Sequence, residues 1–344
     1  DAAISFIGFI TGGLGAVVAV ASMFFAAISG SAMATVSAIG GFMIPEMTKK
    51  GYSVGYSAAL TACAGTIGVI IPPSIPLVIY GVCTQTSIGD LFLAGIIPGI
   101  LIGVGIMIAN YLVCKKQGYK TSERPQPLKQ SFRTLWEAKW AVLAPVIILG
   151  GIYAGVFTPT EASVVAVVYS AIISLFVYRE MNLKQLYQTV VSTAVINGIT
   201  SFLLGLSSAF AAYLSLENIP RMLLDVLLGI TENKIILLLV INVVLLLIGC
   251  VVDNIPATII LSPILLPIVV SLGLTPVQFG LILTLNLTIG LVTPPYGCNL
   301  FVAAAVANIR MESMLRNLWP FLVALVAVLI LITYAPGITT FILG

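Results

Sequence analysis

The sequence predicts an all-α polytopic membrane protein built as an inverted-topology repeat, with two re-entrant helical hairpins and two broken transmembrane helices. Three observations carry this expectation. Sixty per cent of the 344 residues are hydrophobic and only 8% are charged. Mean hydropathy is +1.16, and several stretches reach spanning length with few charges, which a soluble core does not need. An ungapped internal duplication, offset by 222 residues, sets Ile67-Gly68-Val69-Ile70-Ile71-Pro72-Pro73 against Ile289-Gly290-Leu291-Val292-Thr293-Pro294-Pro295. The same offset pairs Pro45 with Pro267, Thr66 with Thr288, Ser31 with Asp253 and Asp90 with Glu312. A β-barrel would show short alternating strands instead.

The elements follow in order. The first repeat occupies residues 1–114 and the second 140–344. Each holds an apolar stretch that divides around a polar centre: 13–44 around Ser29-Gly30-Ser31, and 235–270 around Asp253-Asn254-Ile255-Pro256. Each leg is about 15 residues, reaching about 22 Å of a roughly 30 Å hydrocarbon core, so hairpins fit better than spans. Hairpin tips survive at membrane depth only when buried in protein or lining a wet cavity. Broken helices follow at 54–82 and 277–307, then single helices at 91–113 and 318–335. Scaffold helices at 140–157, 161–178 and 188–214 precede the second hairpin, whereas only 12 residues precede the first. The symmetry therefore predicts two or three further helices before the first hairpin, or their supply by another chain. No basic, cleavable leader opens the sequence.

Charge placement tests this layout. If both hairpins return to the face they entered from, one side holds 13 of the 15 basic residues. These are Lys49 and Lys50, the 115–139 segment (Lys115, Lys116, Lys120, Arg124, Lys129, Arg133, Lys139), Arg179 with Lys184, and Arg310 with Arg316. Arg221 and Lys234 lie opposite. The positive-inside rule makes the crowded side cytoplasmic. Two full-length crossings would preserve the count, so leg length alone argues for the hairpins. Between the repeats, residues 115–139 carry Leu128, Phe132, Leu135 and Trp136 among the basic residues, as expected of an arm helix lying on membrane lipid at the cytoplasmic face. Residues 215–234 are its expected counterpart on the other face.

Interrupted hydrophobic segments in corresponding halves point to the binding site of a secondary transporter. Pro72 and Pro73, like Pro294 and Pro295, remove amide donors and end a helix in mid-membrane. Upstream carbonyls near Gly65 to Gly68 and Thr288 to Leu291 lose intrahelical partners and become natural Na⁺ ligands at the negative end of a helix dipole. The half-helices after the prolines present free amides suited to an anion. A simple proline kink is the alternative for either pair; two copies in register with two tips argue against it. Ser31 and Asp253 fit two roles, capping the return leg and coordinating a cation. Ser29 and Asn254 share their pocket. Ser74, Thr258, Tyr296 and Asn299 are candidate substrate contacts, although no spacing rule singles them out. Glu161 reads as a helix-start residue after Thr158 or Thr160.

Absences also constrain function. There is no histidine, which removes His-ligated metals, imidazole bases and a Ser-His dyad, so an intramembrane protease is excluded despite Ala27-Ile28-Ser29-Gly30. The five cysteines are scattered without CxxC spacing and read as small apolar side chains. No Lys or Arg lies inside any expected span, so a bound organic anion must be balanced by cations, helix N-termini and hydroxyls. No continuous polar lining supports a passive channel, and nothing points to nucleic acid.

The tip Ala26 to Ala32, the segment Gly68 to Ser74, the run Gly151 to Ala162 (GIYAGVFTPTEA) and Gly290 to Gly297 together resemble the large membrane (M, DctM-like) subunit of TRAP, the tripartite ATP-independent periplasmic transporters. The resemblance covers nearly the whole chain, and its main departure is the missing start. It implies a non-enzymatic, elevator-type symporter of the ion-transporter-superfamily kind in a bacterial inner membrane. It further implies a small Q subunit, separate or fused, and a periplasmic substrate-binding protein that delivers a C4-dicarboxylate, keto or sugar acid, or sialic acid. Na⁺ would be the co-transported ion. One Na⁺ site would use Ser29, Ser31 and the Gly65–Pro73 segment, including Gly65, Gly68 and Pro72. The other would use Asp253, Asn254 and the Thr288–Pro295 segment, including Thr288, Gly290, Thr293 and Pro294. A binding-protein-independent Na⁺/carboxylate symporter of the same fold is the nearest alternative.

Overall fold

In the computed structural model, residues 10–119, 139–218 and 233–340 are described, together with Met222 and Gly229. Most of the expected arm (115–139) and of its counterpart (215–234) lies outside the described residues. The described residues are helical throughout, without strands.

The first repeat contains α1 (Gly13–Ser29), α2 (Ala32–Lys49), α3 (Val54–Gly65) running into a 3₁₀ turn (Thr66–Val69), α4 (Ile75–Thr84) and α5 (Ile88–Gln117). After α6 (Lys139–Tyr153), α7 (Pro159–Ile172, ending in a π turn, Ile173–Val177) and α8 (Leu183–Leu216), the same order recurs. It is α9 (Lys234–Gly249), α10 (Asn254–Ser271), α11 (Pro276–Gly290), α12 (Cys298–Ala307) and α13 (Glu312–Tyr334), with a short α14 (Gly337–Thr340) closing the chain.

Local chemistry sets these boundaries. Ser53, Ser74, Ser87 and Thr275 each cap a helix by accepting from the amide three residues on, with Pro276 in the first turn of α11. Asp90 lies in the first turn of α5 and Lys115 and Lys116 in its last, matching the helix dipole. Glu161 does what the sequence predicts: its carboxylate accepts from the Thr158 amide at 2.8 Å and completes a capping box. Its role is structural.

Two expectations are corrected. The legs hold 17, 18, 16 and 18 residues, not about 15. Pro45 sits inside α2, which continues past the expected end at 44 to Lys49, and Pro263 and Pro267 sit inside α10. Legs of about 24–27 Å approach the hydrocarbon thickness, and Asn254–Ser271 is long and apolar enough by itself to cross a membrane. Leg length therefore does not separate a hairpin from two crossings. Similarly, α13 starts six residues before the expected 318, with Glu312 in its first turn, where an acidic side chain suits the helix dipole.

The main buried cluster is drawn from α1–α5 and α9–α13; among the described residues α6 packs Leu149 and Ile152 against it, and Ala144, Ile148 and Ala162 are buried outside it. Helices α6–α8 expose large apolar side chains, among them Val164, Val167 and Phe176, and touch the rest chiefly through α8 against α10 and α6 against α1. Side chains in lipid gain little from hydrophobic burial, so buried polar links count among the interactions that hold such a bundle. Each repeat has one. Asn110 of α5 donates to the Gly12 carbonyl at 2.9 Å and accepts from the Tyr56 hydroxyl of α3 at 2.9 Å. Asn242 of α9 donates to Thr333 of α13 at 3.2 Å and accepts from the Asn286 amide of α11 at 2.7 Å. The helix before each tip (through Gly12 at the start of α1, and Asn242 in the middle of α9), the broken helix and the following helix are thus tied together in both halves.

Candidate functional site

The first tip is compact. Gly30 has φ 64°, a left-handed conformation that glycine adopts without a Cβ penalty. A Cβ there would also fall 2.7 Å from the Pro73 carbonyl oxygen. The Gly30 carbonyl accepts from the Ile75 amide at 3.3 Å, so the tip is bonded to the break in the helix that follows. Ser29 Oγ accepts from the Ser31 amide at 3.2 Å, and Thr35 Oγ1 donates to the Ser31 carbonyl at 2.8 Å. Ser31 caps α2, accepting from Ala34 N at 3.4 Å. The tip backbone lies directly on the 3₁₀ turn, since a Cβ at Gly68 would come 2.7 Å from the Ser31 carbonyl oxygen.

The second tip repeats this with different side chains. Asn254 donates to Thr288 Oγ1 at 3.1 Å and accepts from Thr258 at 3.2 Å. The Tyr296 amide donates to the Cys250 carbonyl at 3.4 Å, again joining tip to break. Gly290 lies against Gly249, where a Cβ on Gly290 would meet the Gly249 carbonyl and lie 2.6 Å from its Cα. Asp253 precedes α10 as the cap residue but makes no side-chain cap bond. It is half-buried. Of the two expected roles, capping belongs to Ser31 and not to Asp253.

The breaks differ from expectation in one respect. Carbonyls upstream of the prolines are not orphaned. Ile67 O accepts from both Ile70 N and Ile71 N, and the chain tightens to a 3₁₀ turn. In the second half Thr288, Ile289, Gly290 and Leu291 carbonyls accept from Leu291, Val292, Thr293 and Asn299 amides at 3.0–3.1 Å. Thr293 Oγ1 adds a bond to Ile289 O at 2.7 Å. A carbonyl has two lone pairs: Ile67 O and Ile289 O each accept two bonds and use both, whereas the Thr288, Gly290 and Leu291 carbonyls, with one of these bonds each, retain one for a cation.

The two tips meet. A cavity of about 50 Å³ is lined by Gly30, Ser31 and Val69 from the first repeat and Asp253, Asn254 and Leu291 from the second, and no Lys or Arg lines it. Of the expected ion-site residues, Ser31, Asp253 and Asn254 line this volume; Ser29, Gly65, Gly68, Pro72, Thr288, Gly290, Thr293 and Pro294 do not. Among the expected substrate contacts, Ser74, Asn254, Thr258 and Asn299 are buried and bonded to protein. Ser29 is half-buried, and of these residues only Tyr296 is exposed, at 50%. Asn299 Nδ2 donates to the Ala62 carbonyl at 3.3 Å, tying α12 to α3, while its Oδ1 has no partner. The prolines of the second break are exposed and Pro72 is buried.

Thr35, Asn242 and Asn286 were not singled out by sequence reasoning. A signal was present: Thr35 stands four residues after Ser31, where a hydroxyl reaches the i−4 carbonyl, and asparagines in spans without charge are expensive unless paired.

The family described as the tripartite ATP-independent periplasmic transporter, DctM component, matches residues 1–338. The chain is 46% identical over 338 residues to the isethionate TRAP transporter permease protein DctMQ of Oleidesulfovibrio alaskensis, with 98% of this chain and 53% of the relative covered. It is 39% identical over 339 residues to the C4-dicarboxylate TRAP transporter large permease protein DctM of Pseudomonas aeruginosa (98% and 79%). It is also 39% identical over 335 residues to the sialic acid TRAP transporter large permease protein SiaM of Vibrio cholerae (97% and 78%). The chain thus spans about half the length of the first of these and about four fifths of the others. On these matches the chain belongs to the DctM component family of tripartite ATP-independent periplasmic transporters.

Proposed function

We propose that this chain is the transport-pathway part of a Na⁺-coupled organic-acid symporter of a bacterial inner membrane. The reading rests on one observation: the tips and breaks of both repeats surround a single cavity that holds an uncapped carboxylate, Asp253, and no basic residue. A half-buried carboxylate beside an anion site calls for a cation between them. Ser29, Ser31, Gly65, Gly68 and Pro72 would frame one Na⁺ site, and Asp253, Asn254, Thr288, Gly290, Thr293 and Pro294 the other. Substrate would approach Ser29 and Tyr296 first. It would reach Ser74, Asn254, Thr258 and Asn299 after the tips part. The cavity has room for an ion with water and not for a multi-atom acid, so this is a closed arrangement.

We take α1–α5 and α9–α13 as the moving body and α6–α8 as part of the scaffold, in an elevator movement. The core composition and the two asparagine links support this division. In this scheme the hairpins are re-entrant, the first opening from the cytoplasm and the second from outside. The basic segments at 49–50, 115–139, 179–184 and 310–316 are then cytoplasmic. A periplasmic binding protein delivers substrate and a small Q subunit completes the scaffold; the relative named DctMQ, of which this chain spans 53%, supports the latter. The carboxylate class expected from sequence widens to organic acids, because isethionate is a sulfonate.

Uptake by proteoliposomes containing the complete transporter, with and without its binding protein, tests the reading. Substrate uptake should require inward Na⁺. Equal uptake and equal substrate affinity in K⁺-replaced, Na⁺-free buffer would end it.

A further inference from the structure

Away from the tips, α5 and α13 form an open apolar groove of about 660 Å³. Its floor is made of small or buried residues, Gly105, Ala109, Ala324 and Val328, and its walls include Ile108, Leu112 and Val323, which are exposed. The groove runs from Lys116 to Gly105 on α5 and from Trp319 to Leu331 on α13. At 1.5 Å per residue that is about 17 Å, close to half of a roughly 30 Å hydrocarbon core. A partner's transmembrane helix needs the whole thickness. One leaflet is the reach of an acyl chain.

The charges complement this length. Lys116 lines the groove at the end where Trp319 stands, and Lys115 precedes it in the last turn of α5. Arg316 lies one turn before Trp319 on the same face of α13 and is exposed. The ion pair found among the described residues is Lys49 with Glu46, so Lys116 and Arg316 carry no carboxylate partner there. The tryptophan marks the membrane–water boundary. We infer that this groove binds an anionic phospholipid, one acyl chain lying between α5 and α13 and the head-group phosphate between Lys116 and Arg316. Basic pockets between membrane helices on the basic face hold anionic head groups in this way.

Native mass spectrometry of the complete, delipidated transporter, titrated with phosphatidylglycerol or phosphatidylcholine, decides the point. Phosphatidylglycerol should bind at least ten-fold more tightly than phosphatidylcholine. The double variant Lys116→Gln/Arg316→Gln should weaken it about thirty-fold, the change expected for two surface cations. Gly105→Leu, which fills the floor, should remove both lipids equally, and the unfolding temperature of each variant checks that it is intact. Should Gly105→Leu not fold, the head-group variant decides alone. Equal binding of the two lipids, or an unchanged affinity in the head-group variant, overturns the proposal. So does photo-crosslinking from position 108 that captures a polypeptide and no lipid.

Discussion

The contact between Gly249 and Gly290 yields the sharpest test of how the second tip is held. Replacing Gly290 by alanine places a Cβ onto the Gly249 carbonyl and 2.6 Å from its Cα. Both obstacles are backbone, so no side-chain rotation relieves them. Overpacking of this kind costs about 1–3 kcal/mol, and backbone displacement puts Gly290→Ala at the upper end. The relief available is movement of the α9 end away from α11, which carries Cys250, Asp253 and Asn254 with it. Gly290→Ala should therefore lower the unfolding temperature by several degrees and weaken Na⁺-stimulated uptake together. Gly41→Ala is the matched control. No heavy atom lies within 4 Å of its added Cβ, and within α2 the change should be neutral or stabilising by up to about 1 kcal/mol. If Gly290→Ala unfolds and transports like Gly41→Ala, the close approach of the two backbones is absent and the description of the tip is wrong.

Further outcomes follow from the bonding. Asp253→Asn should leave stability within about 0.5 kcal/mol of wild type, since no cap bond is lost, while weakening the Na⁺ dependence of substrate binding; thermal unfolding measures the first and titration calorimetry in Na⁺ and K⁺ the second. Ser31→Ala should cost about 1 kcal/mol through loss of the Ala34 cap, with Thr35 still bonded to the residue 31 carbonyl. An unchanged unfolding temperature would show that the cap contributes nothing. Asn242→Leu removes one of the two acceptors of the Asn286 side-chain amide, which keeps its bond to the Ile282 carbonyl, and should cost about 1 kcal/mol, the typical scale for a hydrogen bond between membrane helices. Loss of α9 protection in hydrogen exchange would report it.

Much of the fold was legible because proline, glycine and charge punctuate an otherwise uniform apolar chain. Pro72-Pro73 and Pro294-Pro295 located both breaks, and Ser29-Gly30-Ser31 and Asp253-Asn254 located both turns. The first hairpin's return leg runs past its expected end at 44, because a packed membrane helix tolerates Pro45 inside it. The fate of the break carbonyls was also illegible. Whether a chain leaving a helix tightens to a 3₁₀ turn or exposes its carbonyls depends on what packs against it. Here the Ser31 carbonyl and Thr35 press on Gly68. The gathering of both tips around one cavity is a tertiary fact, and only the matched offset of Ser31 and Asp253 hinted at it.

In the proposed symport, the absence of Lys and Arg from the residues lining that cavity would decide how coupling arises. An organic anion about 6 Å from the Asp253 carboxylate meets a repulsion of about 3 kcal/mol at an effective dielectric near 20, roughly a hundred-fold in affinity. In this scheme a Na⁺ held between them would convert that repulsion into attraction without any arginine, and the cation would bind before the acid. The asparagine variant at position 253 tests this: it removes the repulsion as well as the ligand, so substrate affinity in Na⁺-free buffer should rise while the response to Na⁺ falls to what the proposed first site at Ser29 and Ser31 supplies. A rise with an undiminished response to Na⁺ would refute a cation ligand at Asp253.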